Sequence, residues 1–291
     1  MPTVATINTA SYSEVLRAKY FQATLQTVLR KALVSEKIFQ VDRSDQKYLV
    51  NPYSSQPTAD IAAVAGTYTV TAFTTTENTI SVTDQVTYGE HIFEFEETLS
   101  HFDLYASRVD DMSYAIATGI DKFCLNVITK AATGAYTTPT GGFTTASNIN
   151  VIMSNLISKV AGFADVYKGL FLVIENTDVP GFIQAQASNG FSFADAALNN
   201  GFMTSYMGVD IYVVRSGTFV TATLGSVSSI TNSGARLFGV KNVGLYLAPR
   251  GVQIQEKMIT GVTGKEIGVW ANIGAGCWFT KTGLLVKVTL A

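Results

Sequence analysis

Histidine and carboxylate side chains are the residues of this sequence best suited to acid–base chemistry. The two histidines are His91 and His101, so a His-dependent catalytic triad or a multi-histidine zinc site would have to use one of them. His101 follows Glu97 by four residues, and we interpret that pair as a surface or subunit contact on a helix rather than a catalytic dyad. The neighbouring carboxylates of Glu94, Glu96 and Glu97 are typical of groups that contact solvent or partner cations near a helix start. These residues predict electrostatic contacts and no catalytic site.

Two glycine-containing stretches superficially resemble nucleotide-binding loops. The stretch Gly261–Lys265 has a short glycine spacing, and Glu266 stands where a phosphate loop needs Ser or Thr to coordinate magnesium. Gly268 and the trio Gly274–Gly276 lack the spacing and the strand-to-helix context of a dinucleotide-binding fingerprint. We therefore predict tight turns between strands at these glycines, with no cofactor site and no metal site.

The composition favours a protein whose surface is partly covered by other proteins. Of the 291 residues, 47% are hydrophobic and only 14% are charged, an apolar supply larger than an ordinary soluble monomer needs. The formal net charge is -2 and Lys and Arg do not cluster, which argues against a protein whose main task is to bind nucleic acid. Cys124 and Cys277 are far apart and outside any CxxC pair, so we predict two reduced thiols in the core of a cytoplasmically assembled protein.

Neither a membrane span nor secretion is expected. No run reaches the roughly 18 consecutive apolar residues that a bilayer-spanning helix needs. The first residues also lack a basic segment followed by an apolar one.

In the first third of the chain, the sequence predicts an arm followed by a hairpin. Residues 13–32 have apolar positions at helical spacing among basic residues, which indicates a short amphipathic helix. Residues 38–95 are rich in Thr, Val, Tyr and Ser with alternating polarity, as in Tyr68–Phe73 and Thr79–Val82, and these alternations predict the strands of an extended hairpin.

One long helix is the strongest local prediction. Apolar residues recur at spacings of three and four from Phe102 to Val127, and the helix is expected to run from about Glu96 to Ala131. Lys130 lies in its predicted last turn, and Gly134 is expected to form a left-handed cap just beyond it.

The rest of the chain predicts an α+β module and returning strands. After a Thr/Gly/Pro linker at residues 135–145, Ser147 or Asn148 is expected to cap a helix, and Leu170–Ile174 is a buried strand. Asp178 and Pro180 mark a second helix start, and Val209–Val214 is another strand. The strands after Ala248, including the closing Leu284–Val288, are expected to rejoin the sheet beside the long helix.

This order of elements resembles the major capsid proteins of tailed bacteriophages, which have the Hong Kong 97-type fold. Thr79–Ile128 looks like the return strand of the family's extended loop entering its spine helix. Asn199–Val214 is similar to a passage of its axial domain, and Leu237–Lys257 to the passage back to its peripheral domain. Gly283–Ala291 looks like its final strand.

The resemblance implies an α+β capsid fold with an N-terminal arm, an extended β-hairpin loop, a long spine helix, and peripheral and axial domains. The implied boundaries are the arm at 1–37, the loop at 38–95, the peripheral domain with the spine helix at 96–146, the axial domain at 147–248 and peripheral return strands at 249–291. The implied partners are copies of the chain itself in hexamers and pentamers, a separate scaffolding protein, a portal, and packaged double-stranded DNA contacted non-specifically, with no membrane.

Residues of the arm and loop are the predicted inter-subunit contacts, because extended limbs cannot bury their apolar faces against their own body. They are Arg17, Lys19 and Arg30 in the arm and Tyr53, Tyr68, Phe73 and Glu77 in the loop. Three alternatives stay open: a cellular nanocompartment shell of the same fold, a β-rich tail or adhesin protein, and an enzyme. Particle contents would distinguish the first, the long helix argues against the second, and the missing acid–base constellation argues against the third.

Overall fold

The computed structural model describes residues 33–43, 47–50, 78–93, 104–160, 169–188, 202–249, 251–258, 264–277 and 284–291. The helices are α1 (Ser35–Ile38), α2 (Leu104–Ala131), α3 (Ala146–Val160) and α4 (Val179–Ser188). The first strands are β1 (Gln40–Asp42), β2 (Lys47–Val50), β3 (Asn78–Ser81), β4 (Asp84–Phe93), β5 (Gly134–Thr137), β6 (Leu170–Glu175), β7 (Phe202–Tyr206) and β8 (Val209–Val214). The later strands are β9 (Thr221–Leu224), β10 (Val227–Thr231), β11 (Ala235–Val240), β12 (Gly244–Leu247), β13 (Val252–Met258), β14 (Gly264–Cys277) and β15 (Leu285–Thr289).

The long helix is present where its apolar spacing predicts it. Described from Leu104, α2 ends at Ala131 as expected, with Lys130 in its last turn, and its 28 described residues extend about 42 Å at ~1.5 Å per residue. The expected start at Glu96 lies outside the described residues. The predicted left-handed cap at Gly134 is wrong. Gly134 begins β5 instead, where a Cβ atom would come within 2.9 Å of the Leu285 carbonyl oxygen.

A first sheet packs against α2 and has the order β1-β12-β14-β13, with β4 pairing along β14. β13 and β4 both run antiparallel to β14. The predicted return of the chain to the sheet beside the long helix is therefore confirmed for β13 and β14. The predicted turns at Gly268, Gly274 and Gly276 are wrong, because all three glycines lie inside β14.

A second sheet of six strands has the order β5-β15-β11-β6-β8-β7. The strands predicted at Leu170 and Val209 and the helix expected near Asp178 are all observed. The helix α3 begins at Ala146, slightly before the expected caps. The segment 135–145, expected to be linker, contributes β5 and a 3-10 turn. The last strand also departs from expectation, since β15 pairs with β11 and β5 and so belongs to this second sheet.

Helix α2 connects two hydrophobic cores. Its apolar stripe from Met112 to Cys124 packs with Ile267, Val269 and other inward residues of the first sheet. Further along the same helix, Leu125 and Ile128 belong to the core of the second sheet. The helix is thus shared by both sheets. Each sheet with its core forms one half of the molecule, and the two halves meet along α2 near Leu125.

Candidate assembly site

The base of the predicted extended hairpin is a short antiparallel pair. β2 and β3 are in register from Lys47 opposite Ser81 to Val50 opposite Asn78. The chain therefore departs after Val50 and returns at Asn78, directly opposite. Residues 51–77 themselves lie outside the described residues. This pairing is the arrangement expected at the root of a hairpin.

The root of the hairpin is held against the first sheet by a small apolar cluster and by glycines. Ile80 of β3 is buried with Leu245 and Leu247 of β12. A Cβ atom at Gly274 would lie 2.3 Å from the Ser81 carbonyl oxygen, and one at Gly276 would lie 2.7 Å from the Ile80 side chain. At Gly274 the β3 backbone lies too close to β14 for a side chain, so glycine is required there, whereas at Gly276 the Ile80 side chain fills the space that a Cβ atom would take.

The turn between β3 and β4 is fixed by Asp84. Its Oδ1 accepts a hydrogen bond from the Ser226 backbone N–H at 2.5 Å, and its Oδ2 accepts from the Ser226 and Thr83 hydroxyls, each at 2.6 Å. Partial burial raises the pKa of Asp84, but these hydrogen bonds to the charged form lower it by more, so the net shift is downward. The carboxylate is therefore a stable acceptor that ties the hairpin root to the β9–β10 turn.

The predicted arm ends at a buried carboxylate on the long helix. Asp121 of α2 is buried and accepts hydrogen bonds from the Val34 N–H at 3.0 Å, the Ser35 N–H at 2.8 Å and the Ser35 hydroxyl at 2.6 Å. These are donors at the start of α1 that have no partner within their own helix. The long helix thus supplies the cap of α1 and anchors the chain at the end of the predicted arm.

Burial dominates the electrostatics around Asp121. Desolvation raises the pKa of this carboxyl to about 6, against the opposing hydrogen bonds from Ser35 and Val34 and the nearby charge of Lys37. Desolvation likewise raises the pKa of the Cys124 thiol and the Tyr246 phenol and lowers the pKa of Lys37. The arm root is therefore a dry junction with one ionisable carboxyl at its centre.

The outward face of the first sheet is mostly uncharged beyond the row that holds Lys257, Glu266 and His91. In one row across it, Trp270 stands between Gln253 and Thr87, and in the next row Gly268 stands between Gln255 and Gly89. Alternation of burial along β4 and β14 puts these residues on the side away from α2. Elsewhere, single large apolar side chains are exposed at Tyr114, Val151, Ile183 and Met207.

The structure leaves the predicted contact residues untested. Arg17, Lys19, Arg30, Tyr53, Tyr68, Phe73 and Glu77 all lie outside the described residues, as do His101, Glu94, Glu96 and Glu97. His91 is exposed on β4, opposite Glu266 of β14. Sequence reasoning missed Asp121, and a signal for it existed. The residue is a lone carboxylate beside Ile120 and four residues before Leu125, within the apolar stripe of a predicted helix, where a charged group needs a buried partner.

Metal binding, membrane insertion and phosphate binding find little support among the residues that the structure describes. In those ranges no group of three or more His, Cys, Asp and Glu side chains could hold a metal ion. No described helix combines the length and apolarity needed to cross a membrane. β13 ends at Met258, and its antiparallel neighbour β14 begins at Gly264. Gly264 and Lys265 therefore lie in a strand, whereas a phosphate loop leads into a helix. Cys124 and Cys277 are both free and buried, in agreement with their predicted role as core thiols.

Solved structures share this fold over most of the chain. The capsid chain of Cyanophage P-SCSP1u has a TM-score of 0.64 at 13% identity, covering 89% of this chain and 88% of that chain. The mature capsid of bacteriophage PhiM1 gives a TM-score of 0.60 at 10% identity, with 89% and 87% covered. The virus-like particle from Pyrococcus furiosus gives a TM-score of 0.57 at 10% identity, with 93% and 98% covered. No family profile and no curated protein matches the sequence. The predicted Hong Kong 97-type fold is confirmed.

Proposed function

We propose that this chain is the major capsid protein of a tailed bacteriophage, a structural protein that assembles with copies of itself into the icosahedral head shell around a double-stranded DNA genome. The observation that carries the proposal is a fold shared with phage capsid chains over 89% of the length. The pairing of Val50 with Asn78 supports it further, because it brings together the two ends of residues 51–77, as the base of an extended loop requires.

The proposed organisation of the subunit follows the resemblance. Residues 1–37 are the arm, 38–95 the extended loop, 96–146 with 249–291 the peripheral domain, and 147–248 the axial domain. Hexamers and pentamers of the chain form the shell, with a separate scaffolding protein and a portal as further partners. The subunit assembles in the host cytoplasm and ends in the virion, where it contacts packaged DNA non-specifically.

In the proposed mechanism of assembly, two segments of each subunit, the arm and the extended loop, reach neighbouring subunits. Two fully extended halves of segment 51–77 would reach about 40 Å from their root at ~3.3 Å per residue, far enough to lie on a neighbouring subunit. Each contact of roughly 1,600 Å² is modest, and closed symmetry converts many such contacts into a finite shell. In this scheme Arg17, Lys19 and Arg30 of the arm and Tyr53, Tyr68, Phe73 and Glu77 of the loop contact neighbouring subunits.

A cellular nanocompartment shell is the second candidate. The observation that favours it is the likeness to the Pyrococcus furiosus particle, whose chain is covered over 98% of its length. The two candidates predict the same subunit fold and the same closed shell. They differ in what the shell contains, which is DNA for a phage head and cargo protein for a nanocompartment.

Expression of the full chain, alone and together with the proposed scaffolding protein, tests the proposal. Cryo-electron microscopy of the sedimenting fraction is expected to show closed icosahedral shells. A chain that stays monomeric or forms only open fibres under both conditions would overturn the proposal. Native particles from infected cells, treated with nuclease and then opened, should release protected double-stranded DNA, whereas a shell that releases a folded enzyme instead would favour the nanocompartment.

A further inference from the structure

A hairpin inserted between strands of the second sheet extends across to the first. Residues 218–232, here called the brace, connect β8 to β11 and contain the antiparallel pair β9–β10. Unlike the strands on either side of it, the brace is not part of the six-stranded sheet. Its contacts instead follow the junction between the two halves of the molecule.

The start of the brace is fixed to the second sheet. The carboxylate of Glu175, at the end of β6, accepts hydrogen bonds from the Gly217 N–H at 3.0 Å and the Phe219 N–H at 3.3 Å. The same carboxylate pairs at 3.2 Å with Arg236 of β11, which is almost fully buried. The Phe219 ring lies in the core of the second sheet. This end of the brace therefore moves with the second half of the molecule.

The two ends of the brace meet the long helix at a buried amide. The Asn126 side chain donates to the Thr218 carbonyl at 2.7 Å and accepts from the Val220 N–H at 3.1 Å. Asn232 donates to the Asn126 backbone carbonyl at 2.9 Å, and both asparagines are fully buried. Asn126 follows Leu125, where α2 passes from one core to the other. Buried hydrogen bonds are directional, so this joint resists rotation and sliding more than an apolar contact would.

The tip of the brace is fixed to the first half. Leu224 and Val227 pack on the core of the first sheet. Between them, Ser226 is bound through its backbone N–H and its hydroxyl by Asp84, at the start of β4. Gly225 has a φ of 56°, and a Cβ atom there would collide with the Asp84 carboxylate. The turn is therefore shaped to fit Asp84 closely.

We infer that the brace fixes the angle between the two halves of the subunit, and that Asp84 and Ser226 thereby determine the diameter of the shell. This inference rests on the proposed function, in which each subunit contacts several neighbours in a closed shell, so that the angle between its two halves sets the angle between those contacts. The angle between those contacts is then the curvature contributed by each subunit. Removal of the tip contact leaves each half folded around its own core while freeing the angle between them.

Three single substitutions in the full chain test the inference. Asp84→Ala removes both hydrogen bonds from Ser226 to the carboxylate and leaves at the tip only the 3.1 Å bond between the Ser226 and Thr83 hydroxyls. Ser226→Ala removes only the hydrogen bonds of the hydroxyl, since the backbone N–H still donates to Asp84. Thr223→Ala, an exposed position of the same hairpin, is the matched control. Shells are assembled from each variant under identical conditions and sorted by diameter in cryo-electron micrographs. Thermal unfolding and hydrogen exchange of the 218–232 peptide report on the subunit itself.

The expected result is one diameter class for the wild type and Thr223→Ala, more than one for Asp84→Ala, and an intermediate mixture for Ser226→Ala. Faster exchange of the 218–232 peptide should follow the same order. Shells of one unchanged diameter from Asp84→Ala, formed by subunits whose 218–232 peptide exchanges faster, would overturn the inference and leave the proposed function intact. Unchanged hydrogen exchange of the 218–232 peptide in Asp84→Ala would also overturn the inference, because it would show that the tip contact does not hold the brace in place. Absence of shells from the wild type would overturn both the inference and the proposed function.

Discussion

Ser35 and Asp121 lie 86 residues apart in the sequence and are joined by two hydrogen bonds, from the Ser35 N–H at 2.8 Å and from its hydroxyl at 2.6 Å. The pair attaches the end of the arm to the long helix inside a dry junction. A hydroxyl suits this position because it can donate to a carboxylate and accept from a carboxylic acid. The contact therefore persists in both protonation states of Asp121, although its strength differs between them.

Replacement of Asp121 should destabilise the arm root. At about pH 5, Asp121→Ala is expected to lower the free energy of unfolding by about 1–3 kcal/mol, because the buried N–H groups of Val34 and Ser35 lose their acceptor. Denaturant titration of the subunit measures the difference. Asp111→Ala is the control on the same helix, since the Asp111 side chain is 70% exposed, and it should change stability by less than about 0.5 kcal/mol. Equal effects of the two substitutions would contradict the assigned role of Asp121.

The contribution of Asp121 should also depend on pH. Its pKa is raised to about 6 in the folded protein, above the ~3.9 of a free aspartate, so the folded state binds the proton more tightly. The resulting stabilisation is complete below the unfolded pKa and is lost as the pH rises through about 6, by up to about 3 kcal/mol. The stability difference between wild type and Asp121→Ala should therefore shrink from about pH 5 to about pH 8. A difference that grows over this range would contradict the prediction.

The glycines of β14 should respond differently to the same substitution. Gly274→Ala is expected to cost about 1–3 kcal/mol, because its Cβ would lie 2.3 Å from a backbone oxygen of β3. Gly268→Ala is the matched control, since its Cβ would meet nothing closer than 3.9 Å. This control should be neutral or stabilising by up to about 1 kcal/mol, as alanine loses less backbone entropy than glycine in a strand. Equal losses of stability would show that β3 does not pass over Gly274.

Removal of residues 51–77 should abolish assembly and leave the rest of the subunit folded. Val50 and Asn78 are directly paired, so an Asn-Gly turn can replace residues 51–77 and keep β2, β3 and the buried Ile80 in place. A longer deletion through Val82 would also remove Ile80 from its cluster and confuse loss of assembly with loss of folding. The shortened chain is expected to melt cooperatively and sediment as a small species. Normal shells from it would show that residues 51–77 are dispensable for assembly.

Local patterns in the sequence predicted the elements that depend on nearby residues. The apolar spacing up to Val127 and the basic Lys130 located the end of α2 correctly, and the continuous apolar run at Leu170 located a central strand. These predictions succeed because helix and strand periodicity is a property of adjacent positions.

Features that depend on contacts between distant residues could not be predicted from such local patterns. Gly274 and Gly276 were predicted to lie in turns because the sequence around them does not show their close approach to β3. That approach joins positions nearly 200 residues apart. The last strand was also assigned to the wrong sheet, since β15 pairs in parallel with β5, more than half of the chain away in sequence. The cap that Asp121 provides for α1 belongs to the same class. The predicted contact residues of the arm and loop lie outside the described residues and stay predictions.

A cryo-electron microscopy map of the assembled wild-type particle tests the central claim most directly, provided that side chains are visible. The account predicts a closed shell in which residues 51–77 leave each subunit at Val50, lie on a neighbouring subunit and return at Asn78. Residues 51–77 folded back on their own subunit, or a chain that forms no closed particle, would contradict it.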